Sequence, residues 1–158
     1  MQVEFKRAKL CHIEAMQTLV ENEVEAGLIL PRSADEMATN IRAYTLVFVN
    51  DILAGFVALH IYSQNLAEVR SLVISKDHRK KGLGKKLIEA CKEEAKDFGI
   101  QTLLSLTYQK KLFEDSGFAE ISKKDLPEHK VWADCNRCKH FPICDEIALV
   151  YKVMDKIK

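Results

Sequence analysis

The sequence predicts an α/β (α+β) domain with a mixed central sheet flanked by helices, and three observations carry that reading. Apolar or alternating runs of strand length recur between segments whose hydrophobic residues return every three or four positions. Their order is strand, two helices, strand hairpin, strand, helix, strand, short helix and strand. The sharpest change of period falls across a basic stretch with two glycines, Arg79-Lys80-Lys81-Gly82-Leu83-Gly84.

Val3-Glu4-Phe5-Lys6-Arg7-Ala8 alternates and predicts the first strand. From Cys11 to Glu25, the residues Ile13, Met16, Leu19, Val20 and Val24 keep helical spacing up to a stop at Gly27. Ser33-Ala34-Asp35-Glu36 is a capping box that opens a second helix, expected to reach about Tyr44. Leu46 to Val49 and Ile52 to Ile61 are apolar runs joined at Asn50-Asp51, a hairpin signal. After Ser63-Gln64-Asn65 comes a strand over Ala67 to Ile74. Leu83, Leu87, Ile88, Cys91 and Ala95 then line one face of a helix that stops at Gly99. Ile100 to Thr107 reads as a buried strand, Leu112 to Phe118 as a short helix with Gly117 at its end and a strand after it, and Ile147 to Met154 as a final strand.

Composition narrows the function. The 158 residues suit one domain, 1–158, with a cysteine-rich loop over 132–145. Lys and Arg (24) nearly balance Asp and Glu (23), so no broad basic field marks a nucleic-acid binder. No apolar run approaches the roughly 20 residues that span a bilayer. The charged N-terminus is unlike a secretory leader, and the five cysteines are odd in number, so a cytoplasmic protein without a disulfide framework is expected. Cys11 and Cys91 are expected to be inert buried thiols.

The basic stretch is the strongest chemical signal. A helix start exposes unpaired backbone N–H groups and carries partial positive charge, which suits a diphosphate. Gly82 and Gly84 are expected to let the chain turn and approach closely, while Arg79, Lys80, Lys81 and Lys85 supply counter-charge. A basic turn with a helix cap would use similar residues. The buried strand before it and the amphipathic helix after it favour the anion site. The spacing [QR]-x-x-G-x-G is neither a nucleoside-triphosphate loop nor a dinucleotide fingerprint. It resembles the acetyl-CoA signature of the GNAT N-acetyltransferases, and the element order resembles theirs from roughly Val3 to Ile121.

The resemblance implies an acyl-CoA N-acyltransferase fold in which the strands Ala67–Ile74 and Gln101–Thr107 splay apart. The pantetheine arm of acetyl-CoA would lie between them, with backbone groups of Leu72, Val73 and Ile74 pairing with it and the Arg79-to-Lys85 segment, including Leu83, holding the diphosphate. Glu68 and Arg70 alternate onto one strand face, ~6.5–7 Å apart. Glu68 is then a candidate base for the acceptor amine, or else a surface charge paired with Arg70. Many GNAT enzymes place a thiolate-protonating tyrosine where this chain has Phe113. Either no acid is needed, or Tyr108, with Ser105 second, supplies the proton.

Ala67-Glu68-Val69-Arg70-Ser71-Leu72-Val73-Ile74, with Gly27-Leu28-Ile29-Leu30-Pro31-Arg32 and Leu104-Ser105-Leu106-Thr107-Tyr108, is similar to the acetyltransferase domain of N-acetylglutamate synthases. Particularly close is the short stand-alone type, whose closing segment resembles Leu126-Pro127 through Lys130-Val131-Trp132 and Cys135 to Cys144. That family acetylates the α-amino group of glutamate, the first step toward arginine. Arg32 and Arg70 would meet the two glutamate carboxylates, unless each makes an intramolecular ion pair. Another small amine or a protein N-terminus is the alternative acceptor, and a non-catalytic metal-stabilised binding module the alternative class. Long synthases carry a preceding amino-acid-kinase domain, for which this chain has no length, so arginine feedback through it is not expected.

Cys135, Cys138 and Cys144 are spaced C-x2-C-x5-C, with His140 between them. Three thiolates and an imidazole suit a structural zinc site, and the other readings are thiols packing a tight loop or a redox-labile pair. The final strand is a candidate to exchange or pair between two copies, giving a homodimer.

Overall fold

In the computed structural model, residues 2–26, 32–122, 125 and 147–153 are described. The strands are β1 (Val3–Arg7), β2 (Tyr44–Val49), β3 (Ile52–Ile61), β4 (Leu66–Ile74), β5 (Thr102–Thr107), β6 (Ala119–Ile121) and β7 (Ile147–Lys152). The helices are α1 (Ile13–Glu25), α2 (Ala34–Thr39), α3 (Leu83–Phe98) and α4 (Lys110–Asp115). The described strands make one mixed sheet in the order β1-β2-β3-β4-β5-β7-β6. Only the β4–β5 pair among them is parallel.

Hydrophobic pattern assigns the two faces. Leu83, Leu87, Ile88, Cys91 and Ala95 of α3 are buried against Val47, Val57, Leu59, Val69 and Leu103. Each of these Leu and Ile side chains contributes about 1.5–3 kcal/mol by burial. On the other face, Met16 of α1 and Met37 of α2 pack with Leu46, Phe56, Ala58 and Val73. Asn50 and Asp51 have φ of 50° and 68°, as a hairpin turn twisted to match its strands requires. The Ser33–Glu36 capping box forms in both directions, at 3.1 Å each.

Several expectations need correction. The second helix stops at Thr39, and a 3-10 turn over Ile41–Ala43 leads into β2 at Tyr44. Tyr44 is claimed by cross-strand pairing with Ala58, which overrides the helical pattern before it. The strand after α3 starts at Thr102, because Ile100 still caps the helix by donating to the Ala95 carbonyl at 2.9 Å. The short helix begins at Lys110 and ends at Asp115, with Gly117 at φ 96° and the Phe118 N–H returning to Phe113. Cys91 is buried, and burial pushes its thiol up to about 12. Cys11 lies exposed in the 3-10 turn before α1, not buried.

Candidate functional site

The sheet opens between β4 and β5. They pair only at Leu66–Thr102, Ala67–Leu103 and Glu68–Leu104. Beyond those pairs β4 continues on β3 and β5 on β7, so the two strands splay into a fork with Glu68 at its apex. Backbone N–H and C=O groups on the inner strand edges are thereby offered to anything extended that enters. The fork leads into a cleft of about 570 Å³, lined by Val69–Ile74 of β4, Ser105–Thr107 of β5, Tyr108, Leu112 and Phe113, and the loop before α3.

A bulge shapes the β4 arm. Phe56 pairs with Val73 and Ala58 with Arg70, so Ser71 and Leu72 together oppose Val57. Ser71 takes φ 58°, a left-handed conformation uncommon for serine. The inserted residue reverses side-chain alternation. Ala67 and Val69 face α3 before it, and Leu72 and Ile74 face α3 after it. Gly55 faces this arm across the ladder, where a Cβ would meet the Val73 carbonyl oxygen at 2.5 Å. Only glycine lets β3 lie so close beneath the bulge.

At the outer end of the cleft, α3 starts at Leu83 with Gly82 as its N-cap at φ 79°. Lys80 also has a positive φ, 64°. The Arg79 Nε donates to the Ile74 carbonyl at 3.1 Å, tying the loop to the end of β4. Arg79, Lys80, Gly82, Leu83, Gly84 and Lys85 line the cleft. Lys81 is exposed and is not among the lining residues. Gly84 lies inside the first helical turn without a positive φ, so it is not a turn residue. A Cβ there would make ordinary contact with Leu112 at 3.4 Å.

Glu68 and Arg70 share the sheet face opposite α3. Glu68 is buried, 1% exposed. Its Oε1 accepts a hydrogen bond from the Tyr62 hydroxyl at 2.7 Å and lies 3.8 Å from Arg70 Nη1. Arg70 Nη2 is 3.0 Å from His60 Nδ1. A guanidinium only donates, so this ring nitrogen accepts and the proton resides on Nε2. His60 stands opposite Glu68 and packs edge-on to the Tyr62 ring at 4.7 Å. Arg70 lines the cleft, while Glu68 lies behind the lining at the apex.

Arg32 approaches the same face from the segment before α2. The Tyr44 hydroxyl reports this: burial raises its pKa, and the positive charges of Arg32 and Arg70 pull it back down, with Glu36 opposing them. The charges of Arg32 and Arg70 thus both act on one buried phenol. Tyr108 is exposed at the end of β5, Ser105 is buried there and Phe113 is buried on α4, all three lining the cleft. Among the described residues, no three or more His, Cys, Asp or Glu side chains are grouped to hold a metal. Cys135, Cys138, His140 and Cys144 lie outside the described residues. No helix among the described residues is long and apolar enough to cross a membrane.

Sequence reasoning missed Tyr62, His60 and Tyr44 as neighbours of the charged pair. A signal existed for two of them, because His60 and Tyr62, the latter just past the end of β3, alternate in step with Ala58 in an otherwise apolar run. Tyr44 becomes visible only once its register with Ala58 is known.

Comparison with known proteins agrees with this geometry. An uncharacterized N-acetyltransferase of Chlorobaculum tepidum is 31% identical, over 92% of this chain and 93% of its own. The amino-acid acetyltransferase of Pasteurella multocida is 28% identical over 78% of this chain, but the match spans only 28% of that longer protein. The N-acetylglutamate synthase of Neisseria gonorrhoeae, complexed with coenzyme A and N-acetyl-glutamate, superposes with a TM-score of 0.85 at 23% identity. That superposition covers 98% of this chain and 36% of the synthase, and it speaks for the fold. Residues 11–118 match the acetyltransferase (GNAT) family, and the chain, built on that family's forked sheet, belongs to the GNAT N-acetyltransferases.

Proposed function

We propose that this enzyme transfers the acetyl group of acetyl-CoA to the α-amino group of L-glutamate. The observation that carries the reading is a buried carboxylate paired with an arginine on one sheet face at the apex of the fork, with the charge of a second arginine acting on that face. Glu68 and Arg70 stand 3.8 Å apart there, and the charges of Arg32 and Arg70 both act on the buried Tyr44 hydroxyl. Glutamate brings two carboxylates and one ammonium group. Two guanidinium groups and one carboxylate are their electrostatic complement.

The donor half of the site fits an acyl-CoA. A narrow cleft between strand edges suits an extended amide-bearing arm, and Leu72, Val73 and Ile74 provide the backbone that would pair with it. The Gly82, Leu83 and Gly84 amides at the start of α3 suit the diphosphate, with Arg79, Lys80, Lys81 and Lys85 as counter-charge. The Pasteurella relative's name and the N-acetyl-glutamate held by the gonococcal synthase support the acceptor assignment.

In the proposed reaction the ammonium group gives a proton to Glu68, directly or through water. The neutral amine then attacks the thioester carbonyl carbon. As the tetrahedral adduct collapses, the C–S bond breaks, the nitrogen loses its second proton to solvent, and the thiolate takes a proton from Tyr108. Arg32 and Arg70 bind carboxylates and fix the amine's direction of approach.

Initial rates of CoA release across the amino acids test the acceptor. Glutamate should give the highest kcat/KM, and a rate no better than with lysine or spermidine would reject it. Gly82→Val tests the donor loop. Forcing a β-branched residue to φ 79° costs roughly 1–2 kcal/mol of strain, and among the described residues nothing crowds its Cβ. The acetyl-CoA KM should rise about 10-fold, with the glutamate KM little changed. Unchanged acetyl-CoA affinity would place the diphosphate elsewhere.

A further inference from the structure

Tyr44 opens β2 and is 4% exposed, its ring edge-on to Phe56 at 5.8 Å. Among the described residues, none forms a hydrogen bond with its hydroxyl. A buried phenol normally finds a partner, since losing water without replacement costs free energy.

Its neighbours indicate what the hydroxyl is for. Tyr44 pairs with Ala58, and Ala58 pairs with Arg70, so the three form one row across β2, β3 and β4. Directly opposed residues share a face. Within that row Ala58, with the small side chain, lies between Tyr44 and Arg70. The next row toward the fork's apex is His60 opposite Glu68. Arg32 adds a second positive charge felt at the hydroxyl, while Glu36 supplies an opposing negative one. One Glu36 oxygen is engaged by the Ser33 N–H at 3.1 Å.

We propose that the Tyr44 hydroxyl is a third, uncharged ligand for an acceptor carboxylate, donating a hydrogen bond beside Arg32 and Arg70 and so contributing to acceptor specificity. This rests on the glutamate reading above and deepens it. Two guanidinium groups attract any anion, whereas a fixed O–H donor on a rigid ring also dictates where one oxygen must sit. An acceptor without that oxygen would leave the phenol buried and unsatisfied.

Tyr44→Phe, made in the full chain, keeps the ring and removes only the donor. The glutamate KM should rise roughly 10-fold or more, the effect of losing a hydrogen bond to a charged group. The acetyl-CoA KM should stay unchanged, and kcat should fall less than the glutamate KM rises. Without substrates, the variant's Tm should equal or exceed the wild-type value, because the lost hydroxyl has no described protein partner. An unchanged glutamate KM overturns the proposal. So does a lowered Tm of the free variant, which would give the hydroxyl a structural role. Failure of the underlying reading is distinct: the wild-type enzyme would itself not prefer glutamate, and the proposal would fall with it.

Discussion

Replacing Glu68 by Gln is expected to lower kcat by about 100-fold or more at neutral pH, within the usual range for a lost general base. The substitution preserves shape. The amide oxygen can still accept from Tyr62, so the 2.7 Å bond need not be lost. What disappears is the capacity to take a proton from the acceptor ammonium group. The defect should therefore shrink as pH rises, because solvent then supplies the amine already neutral. Both KM values should move less than kcat. A pH–rate series of the two proteins checks this, and a wild-type kcat in the variant would move the base elsewhere.

Arg70→Ala carries the second large effect, on binding and stability together. The guanidinium is proposed to hold an acceptor carboxylate, and the side chain is 14% exposed and lines the cleft. Its loss should raise the glutamate KM by about 100-fold, as expected when one partner of a largely desolvated charge pair is truncated. The acetyl-CoA KM should change little, since the donor loop lies at the far end of the cleft. Stability should also fall. The change takes the Arg70 charge away from Glu68, 1% exposed, and removes the donor to His60 Nδ1. Breaking a buried pair from one side costs about 3–5 kcal/mol. The 3.8 Å separation and the retained Tyr62 bond place this case toward the low end. Urea unfolding measures it, and adding Glu68→Gln to Arg70→Ala should recover part of the loss.

The loop proposed to hold the donor was legible because its pattern is local in sequence. Arg79 through Gly84 announce a basic loop before a helix, and the Asn50-Asp51 turn and Ser33 capping box likewise specify themselves over a few residues. The acceptor half depends on register. Period two correctly put Glu68 and Arg70 on one face, but their partners lie on other strands. Tyr62, His60 and Tyr44 reach them only through the pairing of β2 with β3 and β3 with β4. The bulge at Ser71–Leu72 gave no warning, because the residue with positive φ is a serine and no glycine marks it. Gly84 looked like a turn residue and proved to be helical. Tyr44 looked like the end of a helix, yet pairing with Ala58 recruits it into the sheet. Such cases are decided by tertiary pairing, which outweighs local pattern.

One face of this forked sheet is proposed to select glutamate and to present its α-amino group to the acetyl donor. A competition assay tests it most directly. The wild-type enzyme receives isotopically labelled acetyl-CoA and an equimolar mixture of amino acids with spermidine, and NMR reads where the label goes. The predicted result is label predominantly on the α-nitrogen of glutamate. Label spread evenly over the amines, or placed mainly on lysine or spermidine, would contradict it.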